Sequence, residues 1–302
     1  MIPKTFFHDT DKELSYILYS DTDSMYINIP KIKPTSSEDA VKHANAVSIE
    51  LNDIIRSYLN NALLPKMNVS AENNQTFFKN ELTASSIIFL EVKKNYAYKI
   101  TSKEGIIFPK PKVKYTGIPI VRSDCAKMTQ DLIRVLIEDI ALSDLKKEER
   151  LTSIDKIGRE TFEKAKEDIS NCEFHYIGVP SKWGGTNYVK EPSEIVGMRL
   201  YNTITETETF KKMTSGFSIP ITIEDYKVFN SKVEKIKNSN DNYIGNIPLA
   251  NLTYLVFPYT YDKEQIKLLL EEYKIKIEIK KVWDKIINKS VERILETIKN
   301  SK

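Results

Sequence analysis

Apolar and polar positions along the chain alternate on two different periods, and the change of period marks its elements. Leu14 to Tyr19 is rich in aromatic and aliphatic residues and predicts a strand. Ser20-Asp21-Thr22-Asp23 interrupts it with small polar residues, and Met25 to Ile29 resumes an extended apolar pattern before Pro30. The simplest structure is a β-hairpin with two carboxylates at or near its tip. Thr35 and Glu38 stand at capping-box spacing. Val41, Ala44, Val47, Leu51, Ile54, Ile55 and Tyr58 then recur on the helical period, which predicts a helix to about Leu64, stopped by Pro65. Phe77 to Thr83 and Ser86 to Ile100 read as further strands. Together these predict an antiparallel sheet backed by a helix, an α+β unit.

The proline-bearing, basic stretch Lys110-Pro111-Lys112-Val113-Lys114 reads as a boundary. Beyond it the pattern turns mainly helical. Met128 to Leu142 is amphipathic, and Ser143 to Ile169 carries the dense Lys/Glu pairing of a solvated helix face. Gly178 to Gly197 concentrates glycine and proline and predicts an irregular loop. After mixed structure, Lys263 to Tyr273 and Val282 to Ile298 predict two closing helices. No internal repeat stands out.

Composition narrows the class. At 302 residues the chain has room for roughly two domains. Its 41% hydrophobic and 29% charged content is that of a globular protein with a sizeable core. No apolar run approaches the roughly 18 residues of a membrane helix. Met1 to Leu14 is interrupted by His8, Asp9, Asp11, Lys12 and Glu13, unlike a signal peptide. Cys125 and Cys172 are too few for a disulfide framework or a cysteine-rich zinc site, which suits a reducing compartment, the cytoplasm. With 45 Lys+Arg against 42 Asp+Glu the net charge is only +3, so any anionic partner must be met by local clusters.

The chemistry concentrates at Asp21 and Asp23. Two apart in extended chain, their side chains point the same way. Carboxylates that close repel one another unless a cation compensates, and Mg²⁺ favours one or two carboxylates with phosphate oxygens and water. The pair therefore suits phosphoryl transfer by two metal ions roughly 4 Å apart. A bare Asp-x-Asp is otherwise a polar turn. An EF-hand is disfavoured, because Met25 and Tyr26 stand where its ligand and glycine belong.

The flanks add to this. Tyr19-Ser20-Asp21-Thr22-Asp23-Ser24, entered from a hydrophobic strand and left by Met25-Tyr26-Ile27, resembles the Tyr-x-Asp-Thr-Asp-Ser palm motif of family B DNA polymerases. Downstream, Phe89-Leu90-Glu91-Val92-Lys93-Lys94-Asn95-Tyr96-Ala97 resembles the family's Lys-Lys-x-Tyr element. Lys112-Val113-Lys114-Tyr115-Thr116-Gly117-Ile118-Pro119-Ile120-Val121-Arg122-Ser123-Asp124 is similar to the segment that leads from palm into thumb. The matches are in order and cover Tyr19 to Asp124; from about residue 125 only a thumb-like helical pattern continues.

The resemblance implies an antiparallel palm sheet with packed helices over residues 1–112 and a mainly helical thumb over 113–302. It makes Asp21 and Asp23 the catalytic carboxylates of a site for two Mg²⁺ ions. Asp23 would be the ligand shared by both metals, Asp21 the accessory carboxylate near the primer terminus, and Glu81 a further palm carboxylate. Tyr19, Thr22 and Ser24 complete the motif. Lys93, Lys94 and Tyr96 would contact newly made duplex, with Asn95 standing where many relatives carry arginine. A lysine donor can test minor-groove acceptors without reading sequence, and the bland alternative is a lysine-protected strand edge. Lys110, Lys112, Lys114 and Arg122 form a second basic group, suited to backbone binding or to simple solvation.

Two elements the family places upstream are absent from these 302 residues: a palm aspartate in a Ser-Leu-Tyr-Pro-Ser context, and a fingers helix ending in Asn-Ser-x-Tyr-Gly. The proofreading exonuclease acids are absent too, and Met1 lies only 20 residues before Asp21. The expectation is the small, C-terminal subunit of a split polymerase, or an excised segment of one, with a viral or phage source and host cytoplasm as its setting. It would bind primer-template DNA and dNTP, and would be inactive without a chain carrying exonuclease, remaining palm and fingers. The face left uncovered should be unusually apolar. The alternative is a non-catalytic, polymerase-derived DNA-binding accessory protein, with a reverse transcriptase or RNA polymerase third.

Other candidates are weaker. His8, His43 and His175 lack ligand spacing. Trp183-Gly184-Gly185 is a DNA-facing loop or a turn around a packed tryptophan, and the cysteines read as packed thiols. A sliding clamp is a further candidate partner, although Arg293 to Lys302 holds no recognisable clamp-binding peptide.

Overall fold

The computed structural model describes residues 16–21, 24–30, 32–120, 124–182, 192–212, 215–237 and 252–300. The fold is α+β, with open antiparallel sheets and packed helices. Two compact units divide it: Met1–Ile87 with Tyr98–Lys114, and Ile88–Ala97 with Tyr115–Lys302.

In the first unit, β1 (Ile17–Asp21) and β2 (Ser24–Ile27) form an antiparallel hairpin that pairs Tyr19 with Tyr26, Ser20 with Met25 and Asp21 with Ser24. A bulge between Ile17 and Tyr19 shifts its register. Helix α1 (Ser37–Tyr58) follows the apolar stripe. Its cap is one residue later than the Thr35–Glu38 spacing predicts, because Ser36 and Asp39 offer the same spacing. Ser36 Oγ accepts from the Asp39 N–H at 3.1 Å, and the Asp39 carboxylate accepts from the Thr35 N–H at 3.0 Å. Val47 packs with Ile29, Ile27, Ile32 and Tyr16 into the small core beneath the hairpin. The helical path continues as a π-turn over Leu59–Leu63 and a 3₁₀ turn over Leu64–Met67, where Pro65 and the left-handed Asn68 end it.

Strands β3 (Leu82–Phe89), β4 (Tyr96–Lys103) and β5 (Ile106–Thr116) form a three-stranded sheet in that order. Two sequence expectations change here. The strand expected over Phe77 to Thr83 begins only at Leu82, because Asn52 on α1 takes the backbone of Phe78 as a strand would. Its amide oxygen accepts from the Phe78 N–H at 2.6 Å and its nitrogen donates to the Phe78 carbonyl. The run Ser86 to Ile100 is two strands, broken at a turn that contains Lys93 and Lys94. Glu104 and Gly105, at φ 49° and 81°, make the tight type I′ link from β4 to β5. The first unit ends at Lys114, and the basic, proline-bearing stretch Lys110–Lys114 lies on β5. Its prolines are tolerated there because β5 is an edge strand, with N–H positions it need not donate.

The second unit continues with α2 (Lys127–Val135), a π-helical extension over Leu136–Ala141, and α3 (Lys147–Ser170). Next come α4 (Phe174–Ile177), β6 (Val179–Lys182), α5 (Ser193–Thr205), α6 (Thr209–Lys212), β7 (Ser215–Ile223) and α7 (Tyr226–Lys237). Strand β8 (Tyr254–Phe257), α8 (Lys263–Glu272), β9 (Ile275–Ile277), α9 (Ile279–Ile286) and α10 (Lys289–Asn300) complete it. The region is less purely helical than its pattern predicts, since β7 pairs antiparallel with β6, β8 and β9. Strand β7 is buried on both faces and so lacks alternation, and its partners are only three or four residues long. The single helix expected over Val282 to Ile298 is two, because the Asn288 carboxamide caps α10 from the Ser290 N–H at 2.9 Å. Trp183-Gly184-Gly185 lies outside the described residues. Cys125 and Cys172 are buried, and burial pushes the Cys172 thiol pKa up, as expected of packed thiols. Among the described residues no helix is long and apolar enough to cross a membrane.

Candidate functional site

Alternation along the hairpin sends Tyr19 and Tyr26 to one cross-strand pair, their rings 6.0 Å apart. Tyr26 in turn meets Tyr98 edge-on at 5.7 Å, and Tyr98 on β4 is only 2% exposed. This aromatic row ties the hairpin to β4. Asp21, half-buried, closes β1 directly opposite the exposed Ser24, with Thr22-Asp23 as the two-residue connection. Thr22 and Asp23 themselves lie outside the described residues.

Glu81 is exposed and immediately precedes β3, its carbonyl accepting from the Glu104 N–H at 2.7 Å. The segment before it is fastened to α1 through Asn52 and through Asn80, whose amide donates to the Asn45 side chain at 3.1 Å. Among the described residues no group of three or more His, Cys, Asp or Glu is placed to hold a metal. Asp21 and Glu81 carry hard carboxylate oxygens, a chemistry that would suit Mg²⁺. His8 lies outside the described residues, and the other two histidines have local partners: His43 Nδ1 sits 2.8 Å from the Asp39 carbonyl, and His175 Nδ1 lies 3.5 Å from Glu173.

Lys93 and Lys94 are exposed at the β3–β4 turn, which the Asn95 N–H closes on the Val92 carbonyl at 3.0 Å. Lys94 has a φ of 63°, left-handed for a residue with a Cβ. Tyr96 packs its ring 5.8 Å from Phe89. Asn95, the departure from the family pattern, faces Gly117: with its nitrogen toward the carbonyls, its amide donates to Gly117 O at 3.1 Å and Lys94 O at 3.3 Å. Gly117 has a φ of 68°, and a Cβ there would overlap the Asn95 side chain and the Lys94 carbonyl. The Lys-Lys-x-Tyr turn and the Tyr-Thr-Gly element, about twenty residues apart in sequence, therefore touch. Sequence spacing signals no such packing; its sole sign was the glycine. Tyr115 donates a hydrogen bond to the Glu138 carboxylate, and burial and that carboxylate hold its hydroxyl pKa far above the ordinary value.

Lys112 and Lys114 are exposed on β5, with Lys112 Nζ 4.6 Å from the centre of the Phe108 ring. Arg122 lies outside the described residues. No protein-family model matches this sequence, and no curated protein matches it.

Proposed function

We propose that this chain is the palm–thumb subunit of a split, DNA-templated DNA polymerase of the family B type. The observation that carries the reading is the register of the β1–β2 hairpin. Asp21 faces Ser24 across it, so the Asp-Thr-Asp-Ser run spans a two-residue connection with a carboxylate at its end. In this reading Asp21 and Asp23 hold Mg²⁺, with Glu81 as a further carboxylate. The bound ions would lower the pKa of a primer 3′-hydroxyl and neutralise the dNTP triphosphate. The 3′-oxygen then forms its bond to the α-phosphorus while the bond to pyrophosphate breaks. Lys93, Lys94 and Tyr96 grip the duplex product, and Lys112, Lys114 and Arg122 add backbone contacts.

The second palm carboxylate and the nucleotide-gripping helix come from a partner chain. Exposed apolar side chains in the first unit support that need: Ile49, Ile54, Tyr58, Met67 and Phe77 stand in solvent, Tyr58 63% and Phe77 68% exposed. The compartment that goes with this reading is the cytoplasm, a host's for a viral or phage protein.

Primer extension with Mg²⁺ and four dNTPs tests the proposal. The chain alone is expected to be silent, and the chain mixed with a polypeptide bearing exonuclease, remaining palm and fingers is expected to extend. Silence of the mixture while DNA is bound would favour an accessory DNA-binding protein.

A further inference from the structure

Asn95 is where this chain departs from the family pattern, and the structure shows what its side chain touches instead. The β3–β4 turn spans Leu90 to Asn95. Two backbone bonds close it: the Leu90 N–H donates to the Asn95 carbonyl at 2.9 Å, and the Asn95 N–H donates to the Val92 carbonyl at 3.0 Å. Within it Lys94 holds a φ of 63°. A residue with a Cβ keeps that left-handed conformation where its surroundings fix it, and such strain gathers at functional sites.

Here the fixing group is the Asn95 side chain. Its amide nitrogen donates to the carbonyl of Lys94 at 3.3 Å and to that of Gly117 at 3.1 Å. One bond holds the strained residue itself, and the other fastens it to a segment about twenty residues on. A Cβ on Gly117 would overlap both the Asn95 amide and the Lys94 carbonyl, so glycine is what lets the two backbones meet. Gly117 is anchored in turn. Two residues before it, Tyr115 donates to the Glu138 carboxylate on the helical stretch Leu136–Ala141, and Glu138 lies 4.0 Å from Arg134 Nε. The turn, Gly117 and Glu138 all belong to the second unit.

We infer that Asn95 is a positioning residue: its amide latches the Lys93-Lys94 turn onto the Tyr115–Gly117 segment and so sets where the two exposed lysines stand. It acts through those lysines and makes no contact of its own with nucleic acid. A neutral latch thus replaces the charged side chain that many relatives carry at this place. The consequence for duplex binding rests on the polymerase reading; the latch rests on geometry alone. Two measurements keep them apart, amide exchange for the latch and duplex affinity for its consequence. Asn95→Ala removes the donor without changing the charge, and Gly117→Ala opens the same contact from its other side.

In both variants the amides of residues 90 and 95 are expected to exchange about threefold to tenfold faster, while those of α3 keep their rates and show that the fold is intact. Fluorescence anisotropy with a labelled primer-template duplex, without Mg²⁺ or dNTP, is expected to show affinity falling about threefold to tenfold in Asn95→Ala. Lys93→Gln/Lys94→Gln, which removes the charges and keeps the length of both side chains, should lose at least as much. Adding Asn95→Ala to that double variant should then change affinity by less than about twofold, because a residue that acts through the lysines has nothing left to position. Unchanged exchange at residues 90 and 95 overturns the latch, whatever DNA does. Faster exchange with duplex affinity unchanged, or with losses that simply add in the combined variant, overturns the positioning role. A parent chain that binds no duplex counts against the polymerase reading, and faster exchange in Asn95→Ala still supports the latch.

Discussion

The two units spend their apolar residues differently. In the first, Ile29, Val47, Tyr98 and Ile100 are the buried apolar side chains among the described residues, while Ile54 and Tyr58 extend the stripe of Val47 into solvent. The same helical face is thus covered at one end and bare at the other. The second unit buries Phe174, Phe229, Phe257, Leu200 and a run of isoleucines almost completely. Phe174 lies 4.3 Å from Phe257, and its N–H donates to Tyr261 Oη at 2.9 Å. One unit is a self-sufficient core. The other combines a thin core with an exposed apolar face and Asp21, which supports the proposed completion by a partner chain.

The largest effects should expose this asymmetry. Phe174→Ala is expected to cost about 3–5 kcal/mol in urea unfolding. Tyr58→Ala should stay within about 0.5 kcal/mol. A Tyr58→Ala cost like that of Phe174→Ala would mean that the bare end of the stripe is packed after all. Next in size is Asn52→Ala, which orphans the Phe78 N–H while the carbonyl keeps its bond from Ser48 Oγ at 2.9 Å, and should cost about 1–3 kcal/mol. Faster amide exchange over residues 77–81 would locate that loss in the first unit. In the second, Gly117→Ala should cost more than about 1 kcal/mol, whereas Gly158→Ala on α3, with open space around it, should gain about 0.5–1 kcal/mol.

The smallest effect is electrostatic. Burial and the Asp131 carboxylate, which accepts from Tyr176 Oη at 3.1 Å, push the Tyr176 pKa up to about 12 from an ordinary 10. The protonated hydroxyl stabilises the fold fully below pH 10, and that contribution is lost as pH rises toward 12. Melting temperature should therefore fall across this window, and less steeply in Tyr176→Phe.

Where local pattern and tertiary packing agree, the sequence is legible. The hairpin and α1 follow directly from their periods, and Asp21 lands at the end of β1. Legibility fails where one residue borrows another's role. Asn52 occupies the backbone of Phe78, so an apolar run that reads as strand is none. Alternating Pro and Lys read only as a boundary, and that they also form an edge strand escapes the pattern, because an edge tolerates missing donors. Asn95 reads as a lost arginine, and its packing on Gly117 depends on a contact no local window contains.

The central claim is that Asp21 and Asp23 hold catalytic Mg²⁺. Single-turnover primer extension by the assembled complex, with Asp23→Asn and Asp21→Asn each compared to the parent chain, addresses it most directly. The account predicts a fall of about a thousandfold for Asp23→Asn, about 4 kcal/mol of barrier, with primer-template affinity kept. Extension at the parental rate by Asp23→Asn would contradict it.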